Sequence, residues 1–249
     1  EINRKLTGAS ADVHFAPTQQ AKENLLREGV KPENIFITGN TVIDALKTTV
    51  SEDYVFSTEI LNKIDFKSQK VVLVTAHRRE NLGKPLENIC HAIRRLVDSF
   101  TDILLIYPVH LNPAVRDTVF DILSHHERIM LLEPLDTDEM HNLMAKSFLI
   151  LTDSGGLQEE APSLGKPVLV LRNETERPEA VKAGTVKLVG TDSDTIFKEA
   201  AKLLVDKDEY DRMANAVNPY GDGNASIRIA DFLLYYFGKK QDKPQEFCI

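Results

Sequence analysis

Residues 151–160, LTDSGGLQEE, end an apolar run with two glycines and follow them with two adjacent glutamates. Gly155 and Gly156 remove side chains where a backbone would meet a ligand. A helix beginning there offers unpaired N–H groups and the positive end of its dipole. Such a turn can cradle a phosphate or pyrophosphate; the structural alternative is an ordinary strand-to-helix turn capped by Ser154. Glu159 and Glu160 fall in the first turns of the same helix, where pairing with the dipole would account for them. A carboxylate also accepts two hydrogen bonds, the number that a ribose diol donates. A nucleoside diphosphate lying with its phosphates on the turn would set its ribose one turn along, against one of these glutamates. The stretch is not G-x-G-x-x-G, and no Walker A motif occurs, so the generic dinucleotide and ATP signatures are missing.

A second group of chemical side chains stands in TAHRREN, residues 75–81, where His77, Arg78, Arg79 and Glu80 follow an apolar strand. The arginines could simply pair on the surface. A histidine at a strand end near phosphates can donate to them or move a proton. His110, in YPVHLNP (residues 107–113), ends the next strand. Two histidines could hold zinc, but no Cys/His/Asp spacing of the usual kind accompanies them.

The elements that must position these groups alternate in type. Short β-branched runs at residues 71–76, 102–109, 128–135, 148–153, 167–171 and 185–190 read as buried strands, and stretches with a 3.6-residue period, such as 85–100 and 136–147, separate them. Near-continuous apolar strands alternating with helices predict a parallel, doubly wound Rossmann-like sheet covered on both faces. Ligands of such sheets bind beyond the carboxyl ends of the strands, where all of these polar tips would meet. The first forty residues, with strands in ADVHFAPT and ENIFITGN and a helix ending at Gly29, read as the closing units of a different sheet. The expected division is therefore 1–40, 41–223 and a returning helix and tail at 224–249.

The chain has 249 residues, 42% hydrophobic and 27% charged, enough for more than one α/β domain. Its net charge of −8 (30 basic against 38 acidic residues) and lack of a basic arm argue against a nucleic-acid partner. No apolar run reaches the roughly 20 residues that span a bilayer. The two cysteines, Cys90 and Cys248, show neither disulfide nor metal spacing, which fits a reducing, cytoplasmic setting.

TAHRREN, YPVHLNP, residues 151–185, NPYGDGNAS (218–226), FAPT (15–18) and ITGNTVIDAL (37–46) together resemble the bacterial non-hydrolysing UDP-N-acetylglucosamine 2-epimerases, from Glu1 to about Phe237. The resemblance implies the GT-B architecture of two Rossmann-like domains. It implies interconversion of UDP-GlcNAc and UDP-ManNAc for cell-surface polysaccharide, by elimination and re-addition of UDP, with no metal or other cofactor and with a homodimer when full length. By the same likeness, Ser154, Gly155 and Gly156 bind the diphosphate, Glu160 the ribose and Arg177 the UDP moiety, and His77 stabilises the departing UDP. A second UDP-GlcNAc, as activator, would be lined by Arg78, Glu80 and His110. Leu135 and Met140 stand where some relatives carry Gln and Phe, which leaves the uracil contacts open. Glu1, Asn3 and Arg4 resemble the end of the family's PEE-x-N-R segment. Most of the first domain, with its acidic acid/base residues, would then lie outside these residues, and the chain alone would be inactive. The rival readings are a GT-B UDP-sugar glycosyltransferase and a non-catalytic UDP-sugar-binding fragment.

Overall fold

The structure is a computed structural model that describes residues 2–249; Glu1 lies outside them. Its strands are β1 (His14–Ala16), β2 (Ile35–Ile37), β3 (Lys70–Thr75), β4 (Ile103–Pro108), β5 (Ile129–Leu132), β6 (Leu149–Thr152), β7 (Val168–Val170) and β8 (Val186–Leu188). Its α-helices are α1 (Ile2–Ser10), α2 (Gln19–Arg27), α3 (Thr41–Thr49), α4 (Lys84–Ser99), α5 (Pro113–Leu123), α6 (Thr137–Lys146), α7 (Gly155–Ser163), α8 (Pro178–Ala183), α9 (Ser193–Val205), α10 (Lys207–Ala214) and α11 (Ala225–Tyr236). The chain divides into two compact units, one of Thr49–Val217 and one of the segments up to Thr48 and from Asn218 onward.

The larger unit is an α/β layer structure around one six-stranded sheet in the order β5-β4-β3-β6-β7-β8, parallel throughout. Each predicted apolar run supplies one of its strands. Alternate residues serve opposite faces, as the two-residue period of a strand demands. Val72, Val74, Leu105, Tyr107, Leu149 and Leu151 pack with Ile89, Ile93 and Leu96 of α4 in one buried cluster. Val71, Leu73, Ile106 and Ile150 are equally buried without joining it. Burial on both faces explains why the strands read as continuous rather than alternating hydrophobic runs. In chain order the strands run outward from β3 in one direction and, after β6, in the other. The order therefore reverses between β3 and β6, and that switch point is where a doubly wound sheet opens a crevice for ligands.

The smaller unit carries the parallel pair β1–β2, with Phe15 opposite Phe36. Phe232 of α11 stacks at a tilt on Phe36, ring centroids 4.6 Å apart, and meets Phe15 edge-on. Residues 41–48 and 218–223, which the sequence suggests belong with the six-stranded sheet, group with this unit instead. Side chains of α3 tie them there. Asp44 accepts the Ala225 and Ser226 N–H groups (3.1 and 2.7 Å) at the start of α11, and Lys47 Nζ donates to Gly223 O at 2.6 Å. The Asn40 N–H also donates to Tyr220 O at 2.7 Å.

Candidate nucleotide-binding site

The two strand tips at the switch point are tied together by one buried carboxylate. Asp153, the residue after β6, is fully buried. Its Oδ2 accepts the His77 and Arg78 N–H groups, each at 2.8 Å, and Asn81 Nδ2 at 2.9 Å. Its own N–H donates to Thr75 O, and Thr75 and Thr152 share a hydroxyl hydrogen bond of 2.6 Å. Two adjacent N–H groups donating to one oxygen fix the direction in which the 77–78 segment leaves the sheet. Tyr107 anchors the same tip from β4, its hydroxyl donating to Ala76 O at 2.6 Å. Asp153 Oδ1 is buried without a partner among the described residues, a desolvation cost borne at this one point. Nothing local in the sequence marks Asp153, because its three donors come from residues 72 to 76 positions away.

At α7 the two glycines have ordinary helical backbones; neither φ is positive. They open the first turn of the helix rather than forming a turn before it. Ser154 occupies the N-cap position in extended conformation, but its side chain accepts no N–H of the helix among the described residues. The capping role that the sequence allowed for Ser154 is therefore unfilled, and the first turn has no side-chain cap among the described residues.

Space, not conformation, is what the glycines provide. A Cβ on Gly155 would lie 3.6 Å from the terminal nitrogens of both Arg78 and Arg177. Two guanidinium groups from different loops thus converge on the bare first turn of a helix. Each is fixed from behind. Arg78 Nε donates to Asp153 O at 3.1 Å, and Arg177 Nε donates to the buried Glu159. Thr175 sets the approach of the Arg177 loop, donating to the buried Gln158 Oε1 at 2.6 Å while accepting the Arg177 N–H at 3.1 Å. Two cations beside a helix N-terminus at a sheet switch point make a strong anion site.

Glu159 and Glu160 begin the second turn of α7, so the helix dipole does not account for them; the first turn carries no acid. Glu159 points to Arg177. Glu160 points the other way and reaches back over Gly156, where its Oε1 would stand 3.2 Å from a Cβ. Its side chain is 13% exposed, and Oε2 lies 3.5 Å from Nε2 of the buried His141 on α6. Burial, then the neighbouring Glu159, raises the Glu160 pKa above its ordinary value. Burial lowers that of His141, against a weaker opposing pull from Asp138.

The remaining predicted residues lie along the same edge. The His77 and His110 rings stack with centroids 5.0 Å apart and planes 16° apart. The Asn112 N–H donates to His110 Nδ1 at 3.0 Å. Glu80 is engaged by Arg172 Nε at 2.6 Å, and Arg172 also holds Glu176 through Nη1 and Nη2 at 2.6 and 3.1 Å. Arg172 pulls the Glu176 pKa down to about 2, and the two carboxylates raise that of Arg172. Leu135 and Met140 are half-buried near the start of α6. No group of three or more His, Cys, Asp and Glu among the described residues could hold a metal ion.

A family model described as UDP-N-acetylglucosamine 2-epimerase matches residues 1–234. The chain belongs to the UDP-N-acetylglucosamine 2-epimerase family. The family's Bacillus subtilis enzyme of that name is 56% identical over 247 residues, covering 99% of this chain and 64% of that protein. A Staphylococcus aureus MnaA structure with UDP superposes with a TM-score of 0.92 at 52% identity, covering all of this chain and 67% of the other. The Neisseria meningitidis UDP-GlcNAc 2-epimerase bound to UDP-GlcNAc gives 0.84 at 46%, covering 94% and 64%. The α/β fold with its parallel sheets matches these solved members of the family. The chain spans a little under two thirds of the length of the curated relatives it matches.

Proposed function

We propose that the protein is a UDP-N-acetylglucosamine 2-epimerase and that the six-stranded unit holds the UDP moiety of its substrate. The observation that carries this reading is the convergence of Arg78 and Arg177 on Gly155 at the open start of α7, with Glu160 one turn further on. The diphosphate lies on the Ser154-Gly155-Gly156 turn beneath the two guanidinium groups. The ribose diol meets the Glu160 carboxylate. A diphosphate and a ribose spaced in this way fit a uridine diphosphate, and relatives of this chain have been solved with UDP and with UDP-GlcNAc.

In the reaction, a proton leaves carbon 2 of the sugar and the bond from carbon 1 to the phosphate oxygen breaks. UDP departs with the electron pair and leaves 2-acetamidoglucal. Re-addition of UDP to carbon 1, with a proton delivered to the opposite face of carbon 2, completes the epimerisation. Negative charge grows on the diphosphate as it departs. Donors already fixed around that position stabilise this charge without reorganising, which is where such arrangements contribute most. Arg78 and Arg177, held from behind by Asp153 and Glu159, are donors of this kind, and His77 adds its imidazole at the same edge. A second UDP-GlcNAc, as activator, would lie alongside, against Arg78, Glu80 and His110, at the edge where the His77 and His110 rings stack.

No helix among the described residues is long and apolar enough to cross a membrane. Cys90 and Cys248 are both thiols, which supports a reducing, cytoplasmic compartment. The product would feed cell-surface polysaccharide synthesis, and the complete protein would be a homodimer. The test of the reading is calorimetry on Glu160→Ala. UDP binding falls by about 2–3 kcal/mol, the scale of hydrogen bonds to a charged group, whereas 2′,3′-dideoxy-UDP binds parent and variant alike. A variant that holds UDP as tightly as the parent would remove the ribose from this carboxylate.

A further inference from the structure

Glu160 is an unusual group to find at this depth. Its side chain is 13% exposed, burial disfavours its charged form, and the neighbouring Glu159 is committed to Arg177. A carboxylate in that setting needs a partner to keep one rotamer and one charge state. Among the described residues, His141 is a nearby group of the right chemistry. His141 is 3% exposed and presents Nε2 to Glu160 Oε2 at 3.5 Å. Its other nitrogen, Nδ1, is in a 2.7 Å hydrogen bond with Thr49 Oγ1. Thr49 is itself fixed, because its carbonyl accepts Asn142 Nδ2 at 2.7 Å, and Asn142 is the next residue on α6. The imidazole is thus seated between a fixed hydroxyl and a carboxylate, and what each nitrogen does is set by what the other holds.

Resting on the ribose reading of Glu160, we infer that His141 is a positioning residue for nucleotide selection. Held by Thr49, it takes Oε2 of Glu160 as neighbour and leaves Oε1 over Gly156 to grip the ribose hydroxyls. The neutral imidazole with its proton on Nε2 faces the carboxylate at 3.5 Å and offers it the donor that closes to a hydrogen bond when the ribose draws Glu160 into place. Gly156 completes the device, since any Cβ there would crowd Oε1 at 3.2 Å. His141 has no contact with substrate in this scheme; its effect passes entirely through Glu160. Selection for a ribose over a nucleotide lacking its 2′ and 3′ hydroxyls then depends on α6 as well as α7.

The experiment compares UDP with 2′,3′-dideoxy-UDP by calorimetry on the parent chain, His141→Leu and His141→Gln. The parent prefers UDP. His141→Leu loses about ten-fold of that preference, the scale of one hydrogen bond to a charged group, while its affinity for dideoxy-UDP stays within about two-fold. His141→Gln, whose amide can donate from nearly the same position, recovers most of the preference. A purely structural role would lower melting temperature and weaken both nucleotides together, leaving the ratio unchanged, and that result overturns the inference. So does a Leu variant that discriminates like a discriminating parent, which would leave the ribose reading intact. A parent that binds both nucleotides alike removes the ribose from Glu160, and the role of His141 falls with it. Should His141→Leu fail to fold, Thr49→Val releases the imidazole from its other side, and the same ratio decides.

Discussion

Two strand-to-helix corners of the six-stranded sheet differ in how their helices begin. At the β4–α5 corner, Asn112 accepts the Ala114 N–H at 3.1 Å, Pro113 fills the first helical position, and Arg116 is neutralised by Glu133 at 2.7 and 2.8 Å. That helix start is finished by its own side chains. At the β6–α7 corner, Ser154 gives the helix no side-chain cap among the described residues, two glycines leave its first turn bare, and two arginines converge above it. Its carboxylates are spent elsewhere, Asp153 on the β3 tip and Glu159 on Arg177. One corner is a joint, and the other, in the proposed function, is the one that a ligand completes. The difference lies in where the hydrogen-bonding groups point, because both corners contain a helix N-terminus and arginine.

The comparison breaks most sharply if a side chain is placed at Gly155. The backbone there is helical, so Gly155→Val folds, but its methyl groups fill the space beneath Arg78 and Arg177. UDP binding falls by roughly 100-fold or more, the equivalent of losing about 3 kcal/mol of charge-assisted hydrogen bonds. Ala114→Val at the joint corner leaves UDP affinity unchanged, and titration calorimetry on the pair reads both. A Gly155→Val protein that keeps its UDP affinity would make the α7 corner a joint like the other.

Asp153→Ala sharpens the comparison from behind. It releases the His77 and Arg78 N–H groups, so UDP affinity drops about ten-fold, and uridine affinity, which needs no phosphate cradle, does not. Asp153→Asn keeps one acceptor oxygen for the three donors and retains most of the UDP affinity. An Ala variant with an unchanged ratio of UDP to uridine affinity would show that the clamp holds only the fold.

Asn112→Ala acts on the opposite corner and with a smaller effect. It removes a cap worth about 1 kcal/mol of stability, visible as a lower urea midpoint, and leaves UDP binding alone. A loss of UDP affinity in this variant would contradict the division between the corners.

The smallest expected effect is one of pH. Arg172 holds the Glu176 pKa at about 2 against an ordinary 4.5. A group depressed on folding contributes stability above its unfolded pKa and loses it as pH falls toward the folded value. Between about pH 4.5 and 2 the parent should therefore lose slightly more stability than Glu176→Gln. The Glu176 side chain is 57% exposed, so solvent screens most of this. Parallel stability curves for the two proteins would put no weight on the pair.

What could be read from sequence follows from how far apart the interacting residues lie. The six strands of the sheet were legible because burial on both faces writes each one as a continuous apolar run, and a parallel order makes their tips meet. The Ser-Gly-Gly motif and the arginine and histidine tips were legible because each is local. The Asp153 clamp, the Glu159–Arg177 pair and the Thr49–His141–Glu160 chain were not. Each joins side chains from separate elements, and the spacing of a buried carboxylate from its donors leaves no periodic trace. The same cause hid the true grouping of residues 41–48 and 218–223, which Asp44 and Lys47 decide across more than 170 positions. Glu159 and Glu160 make the point within two residues: one type, adjacent in sequence, facing Arg177 and His141 respectively.

The central claim is that the diphosphate of UDP lies on the bare first turn of α7. The most direct measurement is an amide NMR titration of the ¹⁵N-labelled chain with UDP and, separately, with uridine. UDP should shift the Gly155 and Gly156 amide signals strongly as their N–H groups take up phosphate oxygens, whereas uridine at matched occupancy should leave both nearly unmoved. Gly155 and Gly156 signals that stay in place while UDP saturates the protein would contradict the account.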